Sequence, residues 1–170
     1  GFFLKQFGIA PESASAYALS SPDFAALAKE YGRMGGLDRM ATLVKAIRAE
    51  RPTQTLLLDG GDTWQGSYTS LKERGADMVA AQNLLGIDAM TAHWEFTYGQ
   101  ERVKELKAQL KAPFLCGNVK DATWGERIFD GTKMFERGGI AIAVIGQAFP
   151  YTPIANPRWL MPDWSFGIEE

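Results

Sequence analysis

Thr55-Leu56-Leu57-Leu58-Asp59-Gly60-Gly61-Asp62 is a short apolar run that ends in two acids around two glycines. A run of this length, bounded by turn residues, predicts a buried central strand. Upstream lies a helical pattern. Leu37, Met40, Leu43, Val44 and Ile47 recur at helical spacing, and Pro52 stops the run. A weaker helix is expected from Ser21-Pro22-Asp23, with Phe24, Leu27, Ala28 and Tyr31 on one face. Downstream, a helix is expected over 77–85, closed by Gly86, then a strand over 89–91 that ends in Ala92-His93-Trp94-Glu95. A third helix is expected over 100–110 and a third strand over 113–116, ending at Gly117-Asn118. Residues 132–137 and 140–146 form a hairpin pattern around Gly138-Gly139, with the second strand the buried one. The last twenty residues lack periodicity and predict an ordered loop. Strands alternating with helices at this spacing imply βαβ crossovers in an α/β domain.

Composition fits this reading. The 170 residues are 46% hydrophobic and 22% charged, which excludes disordered and fibrous classes. A net charge of −2 gives no general attraction to nucleic acid or anionic membrane. One Cys cannot form an internal disulfide. One His means that a dinuclear metal site built from these residues alone would be nearly all carboxylate. No apolar run approaches the roughly 20 residues of a membrane span.

Three strand ends carry polar turns: Asp59–Asp62, His93–Glu95 and Gly117-Asn118. Open α/β sheets bind ligands beyond the carboxyl ends of their strands, so these turns should line one rim. Asp62, presented by two glycines, suits a hard cation, or else caps a turn. His93 is a candidate ligand or a packed ring, with Glu95 placed to orient it. Trp64 and Trp94 exclude water from the rim or fill the core. Cys116, in an apolar strand, reads as a buried structural thiol. Gly-rich phosphate loops and the Ser-centred nucleophile elbow are absent.

Residues 56–67, Leu-Leu-Leu-Asp-Gly-Gly-Asp-Thr-Trp-Gln-Gly-Ser, resemble the second metal motif of the calcineurin-like metallophosphoesterases, in the branch that contains the 5′-nucleotidases. That branch follows with Gly-Asn-His-Glu-Phe-Asp-Tyr-Gly. Here the segment is Ala92-His93-Trp94-Glu95-Phe96-Thr97-Tyr98-Gly99. His93 stands where the family has a metal-binding Asn, Trp94 where it has a catalytic His, and Thr97 where an Asp pairs with that His. The altered motif, with Ile145-Gly146-Gln147-Ala148-Phe149-Pro150-Tyr151-Thr152-Pro153-Ile154-Ala155-Asn156-Pro157, is similar to the thiosulfohydrolases of the bacterial Sox sulfur-oxidation system.

The resemblance implies a layered α/β/β/α sandwich, of which residues 1–170 would be an internal part of the N-terminal catalytic domain. The first metal motif and the later His ligands would lie outside it. It implies a hydrolase with two divalent metal ions, usually manganese. Asp62 would bridge the two ions and His93 would bind one, both counted as catalytic. Trp64, Trp94 and Arg158 would face the substrate, with Glu95 and Asn118 supporting the ligands. The partner would be a sulfur-carrier protein with a thiosulfonate-modified cysteine, in the periplasm. The alternative activity is that of a nucleotide phosphoesterase.

Overall fold

The computed structural model describes residues 2–19, 28–30, 32 and 35–168. The chain divides into two units, residues 1–46 and 47–170. In the first, α1 (Phe2–Gln6) and α2 (Ala14–Leu19) are short helices that bury Leu4 and Ala16. Ser13 starts α2, its Oγ accepting from the Ala16 amide at 3.1 Å. The helix expected from residue 21 lies largely outside the described residues; 28–30 are helical. Helix α3 (Leu37–Glu50) forms as its periodicity requires, but its apolar stripe is not buried: Met40 and Leu43 stay exposed.

The second unit is built on a parallel pair. Strand β1 (Leu58–Asp59) pairs with β2 (Ala89–Met90), Leu58 opposite Ala89 and Asp59 opposite Met90. The crossover between them carries α4 (Tyr68–Glu73) and α5 (Ala76–Leu85). Ser67 caps α4 in a reciprocal capping box with Ser70. Gly86 ends α5 at φ 67°, a left-handed position that glycine takes without strain. Arg48, at the end of α3, donates to the freed carbonyls of Leu85 and Gly86 and pairs with Asp88. Asp88 also pairs with Arg137.

After β2, a 3-10 turn (Glu95–Tyr98) leads into α6 (Gln100–Gln109), which buries Val103 and Leu106. The chain then returns beside β2. The third strand expected over 113–116 is a single parallel bridge, Phe114 opposite Met90, with Met90 N–H donating to Pro113 O and Leu115 N–H to Met90 O. The α/β class and the βαβ crossovers therefore hold.

Several expectations change. Leu58 is 50% exposed although β1 is paired with β2. The hairpin of β4 (Thr132–Arg137) and β5 (Ile140–Ile145) forms in the expected register. However, β5 is not buried: Ile140 and Ile145 are exposed, and among the described residues β5 pairs with β4 and no other strand. The C-terminal stretch is more than a loop. It contains α7 (Thr152–Ala155), a 3-10 turn (Arg158–Leu160) and β6 (Trp164–Phe166), antiparallel to β3 (Val119–Asp121).

The core of this unit centres on aromatic contacts. Trp64 stacks on Phe114 with centroids 5.4 Å apart, and Phe129 meets both Phe114 and Trp164 edge to face. Met90, Val103, Leu106 and Val119 complete it. No helix among the described residues is long and apolar enough to cross a membrane.

Candidate metal centre

Asp62 and His93 meet beyond the carboxyl ends of β1 and β2. Asp62 Oδ2 lies 4.0 Å from His93 Nδ1. That gap is too wide for a hydrogen bond and wider than the roughly 3.0–3.4 Å that bonds of about 2.1 Å leave between neighbouring donors on one ion. His93 Nδ1 is itself buried and without any hydrogen-bond partner. A buried, unpartnered nitrogen facing a carboxylate is costly unless something occupies it. The pair therefore fits a divalent cation in donor chemistry, a carboxylate oxygen facing an unpartnered imidazole nitrogen. Among the described residues no group of three His, Cys, Asp or Glu side chains is placed to hold a metal ion.

The local chain makes this meeting possible. Gly61, at φ 86°, passes against the second turn so closely that a Cβ there would sit 2.6 Å from His93 N and 2.9 Å from Ala92 C. Asp59 shapes the turn from within: Oδ1 accepts from Gly61 N–H and Thr63 Oγ1, and Oδ2 from Gln82 Nε2 at 2.7 Å. Gln65 then holds Asp62, Nε2 to Oδ1 at 2.6 Å, and its own Oε1 accepts from Thr97 Oγ1 at 3.3 Å. This leaves Asp62 Oδ2 for His93. Gly61→Ala should drive the two turns apart. We expect metal content of the full-length protein to fall with its fold retained by circular dichroism; unchanged metal content would show that the close approach is dispensable.

Aromatic rings fix the imidazole. Phe149 lies 4.7 Å from the His93 ring, and Trp94 meets it edge to face at 5.6 Å. Trp94 is half-buried and stays beside the site. Phe149 is held there because the segment carrying it is stitched to β2's end: Phe149 N–H donates to Ala92 O, and Thr91 Oγ1 to Gln147 O at 2.9 Å.

The other expected site residues take different places. Trp64 is fully buried, and its indole N–H donates to Gln82 Oε1 at 2.8 Å, so it is a core residue and not a substrate contact. Glu95 does not orient the imidazole. Its buried carboxylate accepts from backbone N–H groups, Oε2 from His93 and Oε1 from Thr63 and Trp64. Asn118 clamps backbone: Nδ2 donates to Ala148 O and Gly167 O, and Oδ1 accepts from Ala148 N–H. It thereby anchors the segment that carries Phe149. Arg158 is exposed and lines a cavity of about 320 Å³ with Pro153, Asn156, Met161, Trp164 and Phe166, none of which belongs to the Asp62–His93 pair. Burial pushes the Cys116 thiol up to about 12, partly opposed by the Thr91 hydroxyl 3.8 Å away, so the thiol stays protonated at neutral pH and serves packing.

Sequence reasoning missed Gln65 as the residue that orients Asp62, and Gln82 as the link between Asp59 and Trp64. Gln65 has a signal, since it falls three residues after Asp62. Gln82 has none beyond its place among apolar neighbours on α5.

No family model matches the chain. Rat 5′-nucleotidase is 34% identical over 131 residues, which cover 73% of this chain and 23% of the relative. Protein UshA of Salmonella pullorum is 36% identical over 135 residues, covering 76% of this chain and 24% of the relative. The chain thus spans about a quarter of the length of these curated relatives. With the fold and the turn pair described above, these likenesses support the 5′-nucleotidase-like calcineurin-like phosphoesterases as the family of this chain. Among solved structures, Thermus thermophilus sulfate thiohydrolase SoxB, in complex with glycerol, superimposes with a TM-score of 0.87 at 36% identity, covering 99% of this chain and 32% of the SoxB chain.

Proposed function

We propose that this chain contributes two metal ligands, Asp62 and His93, to a dimetal hydrolase that releases sulfate from a cysteine S-thiosulfonate on a sulfur-carrier protein. The observation that carries the reading is that the single imidazole of the sequence turns an unpartnered Nδ1 toward Asp62, 4.0 Å away. Within these residues Trp94, not a second imidazole, occupies the neighbouring place. The SoxB likeness across nearly the whole chain supports the same substrate class.

The reaction balances as Cys–S–S–SO3⁻ plus water giving Cys–S–SH, sulfate and one proton. The bond broken joins the outer sulfur to the sulfonate; the bond formed joins water oxygen to that sulfonate sulfur. A persulfide is a better leaving group than an alkoxide, so general-acid help is worth little and an indole suffices beside the ligand. Two divalent ions, manganese in this reading, acidify water and offset charge on the sulfonate oxygens when bound. Asp62 and His93 hold that charge in place, while Gln65 and Phe149 fix their orientations. Trp94 and Phe149 restrict water at the rim. The Arg158 cavity offers one cation with apolar walls to the carrier, and the setting is periplasmic.

The second reading, a nucleotide phosphoesterase, is favoured by the 5′-nucleotidase likeness. One experiment separates them. The full-length protein, loaded with Mn²⁺, is assayed for sulfate from a thiosulfonate-charged carrier and for phosphate from AMP. We expect sulfate release with phosphate at least about 100-fold slower, the typical worth of a missing general acid. Rapid phosphate release without sulfate hands the site to the second reading.

A further inference from the structure

We infer that Glu95 is a positioning residue that straps the two ligand-bearing turns together and sets the spacing of Asp62 and His93. The inference rests on the metal-centre reading above.

Glu95 is 0% exposed. Its two oxygens are divided between the turns. Oε1 accepts from Thr63 N–H at 2.7 Å and Trp64 N–H at 3.4 Å, immediately after Asp62. Oε2 accepts from His93 N–H at 2.7 Å. Among the described residues no ion pair involves this carboxylate. A buried carboxylate held by amide donors alone is a strong, charge-assisted anchor. One side chain therefore fixes the residue that follows one ligand and the backbone of the other. Gly61 completes the device, because its lack of a Cβ lets the strapped turns touch.

Both parts of the role can be separated by chemistry. Glu95→Gln keeps the size but replaces one acceptor oxygen by an NH2 group that faces an N–H donor, which breaks one end of the strap and removes the charge. Glu95→Asp keeps the charge but is one methylene short of spanning both turns.

The test is Mn²⁺ titration of the metal-stripped full-length protein, read by the paramagnetic resonance signal of free Mn²⁺, with circular dichroism to confirm folding. We expect Glu95→Gln and Glu95→Asp each to weaken Mn²⁺ binding about 10–100-fold, the usual cost of losing a group that supports a metal ligand. Val79→Ala, a core cavity on α5, serves as the control for general destabilisation: it lowers the melting temperature and leaves Mn²⁺ affinity unchanged. A folded Glu95→Gln protein with wild-type affinity overturns the strap. Where Glu95→Gln does not fold, Glu95→Asp decides by the same titration. Wild-type protein that binds no Mn²⁺ overturns the metal-centre reading and the strap with it.

Discussion

Trp64→Ala lowers the stability of the full-length protein by about 3–5 kcal/mol, the range for removing a large buried aromatic. Trp64 is wholly enclosed, stacked on Phe114 and hydrogen-bonded through its indole to Gln82. Its loss leaves a cavity beneath the Asp62 turn and an unpaired Gln82 oxygen, which adds to the penalty. Denaturant unfolding measures the effect. A substrate-facing Trp64 would give the opposite pattern: an unchanged unfolding midpoint and a raised KM. That pattern would return Trp64 to the rim and remove it from the core.

His93→Ala has the largest expected effect on activity. Losing a residue that merely supports a ligand costs about 10–100-fold, so losing a ligand should cost at least about 100-fold in both metal affinity and sulfate release. The metal-free protein should hardly notice. His93 Nδ1 makes no hydrogen bond there, and the ring's contact with Phe149 is worth about 1 kcal/mol. A sharp drop in metal content with nearly unchanged metal-free stability is therefore the signature. Equal metal occupancy in the mutant and the wild type would sink the ligand assignment.

The helical parts of the second unit were legible because their signals are local. The helix expected over 77–85 is Ala76–Leu85, and Gly86 ends it as the left-handed cap. The helix expected over 100–110 is Gln100–Gln109, with Val103 and Leu106 inward. The strands were harder to read, because a strand is defined by its partner. Phe114 and its neighbours carry the right apolar pattern yet form one bridge. Trp164–Phe166 has no strand pattern and becomes β6 because β3 lies alongside, with Ser165 paired to Lys120 across 45 residues of chain. Burial of β5 was overestimated for a related reason: alternating Ile and Ala residues report a capacity to be covered, and coverage depends on a second layer.

The site shows the same division. The juxtaposition of Asp62 and His93 followed from two strand ends in one parallel sheet, which sequence order exposes. What each neighbour does was not readable. Trp64 and Trp94 are both tryptophans in polar turns, and one is core while the other lies beside the imidazole. Glu95 reads as a partner of the His93 ring, because nearness in sequence does not distinguish the ring from the backbone amide that it binds.

Asp62 itself sits at φ 63°, a conformation that few side chains accept. The alphabet open to this position is therefore short: aspartate, asparagine and glycine are the residues that visit it readily. Two of the three retain a ligating oxygen, and they differ by one unit of charge. Evolutionary drift at this position can thus change the charge of the turn by a single nucleotide change while the loop keeps its shape. Most other replacements would have to remodel the loop before they could alter its chemistry.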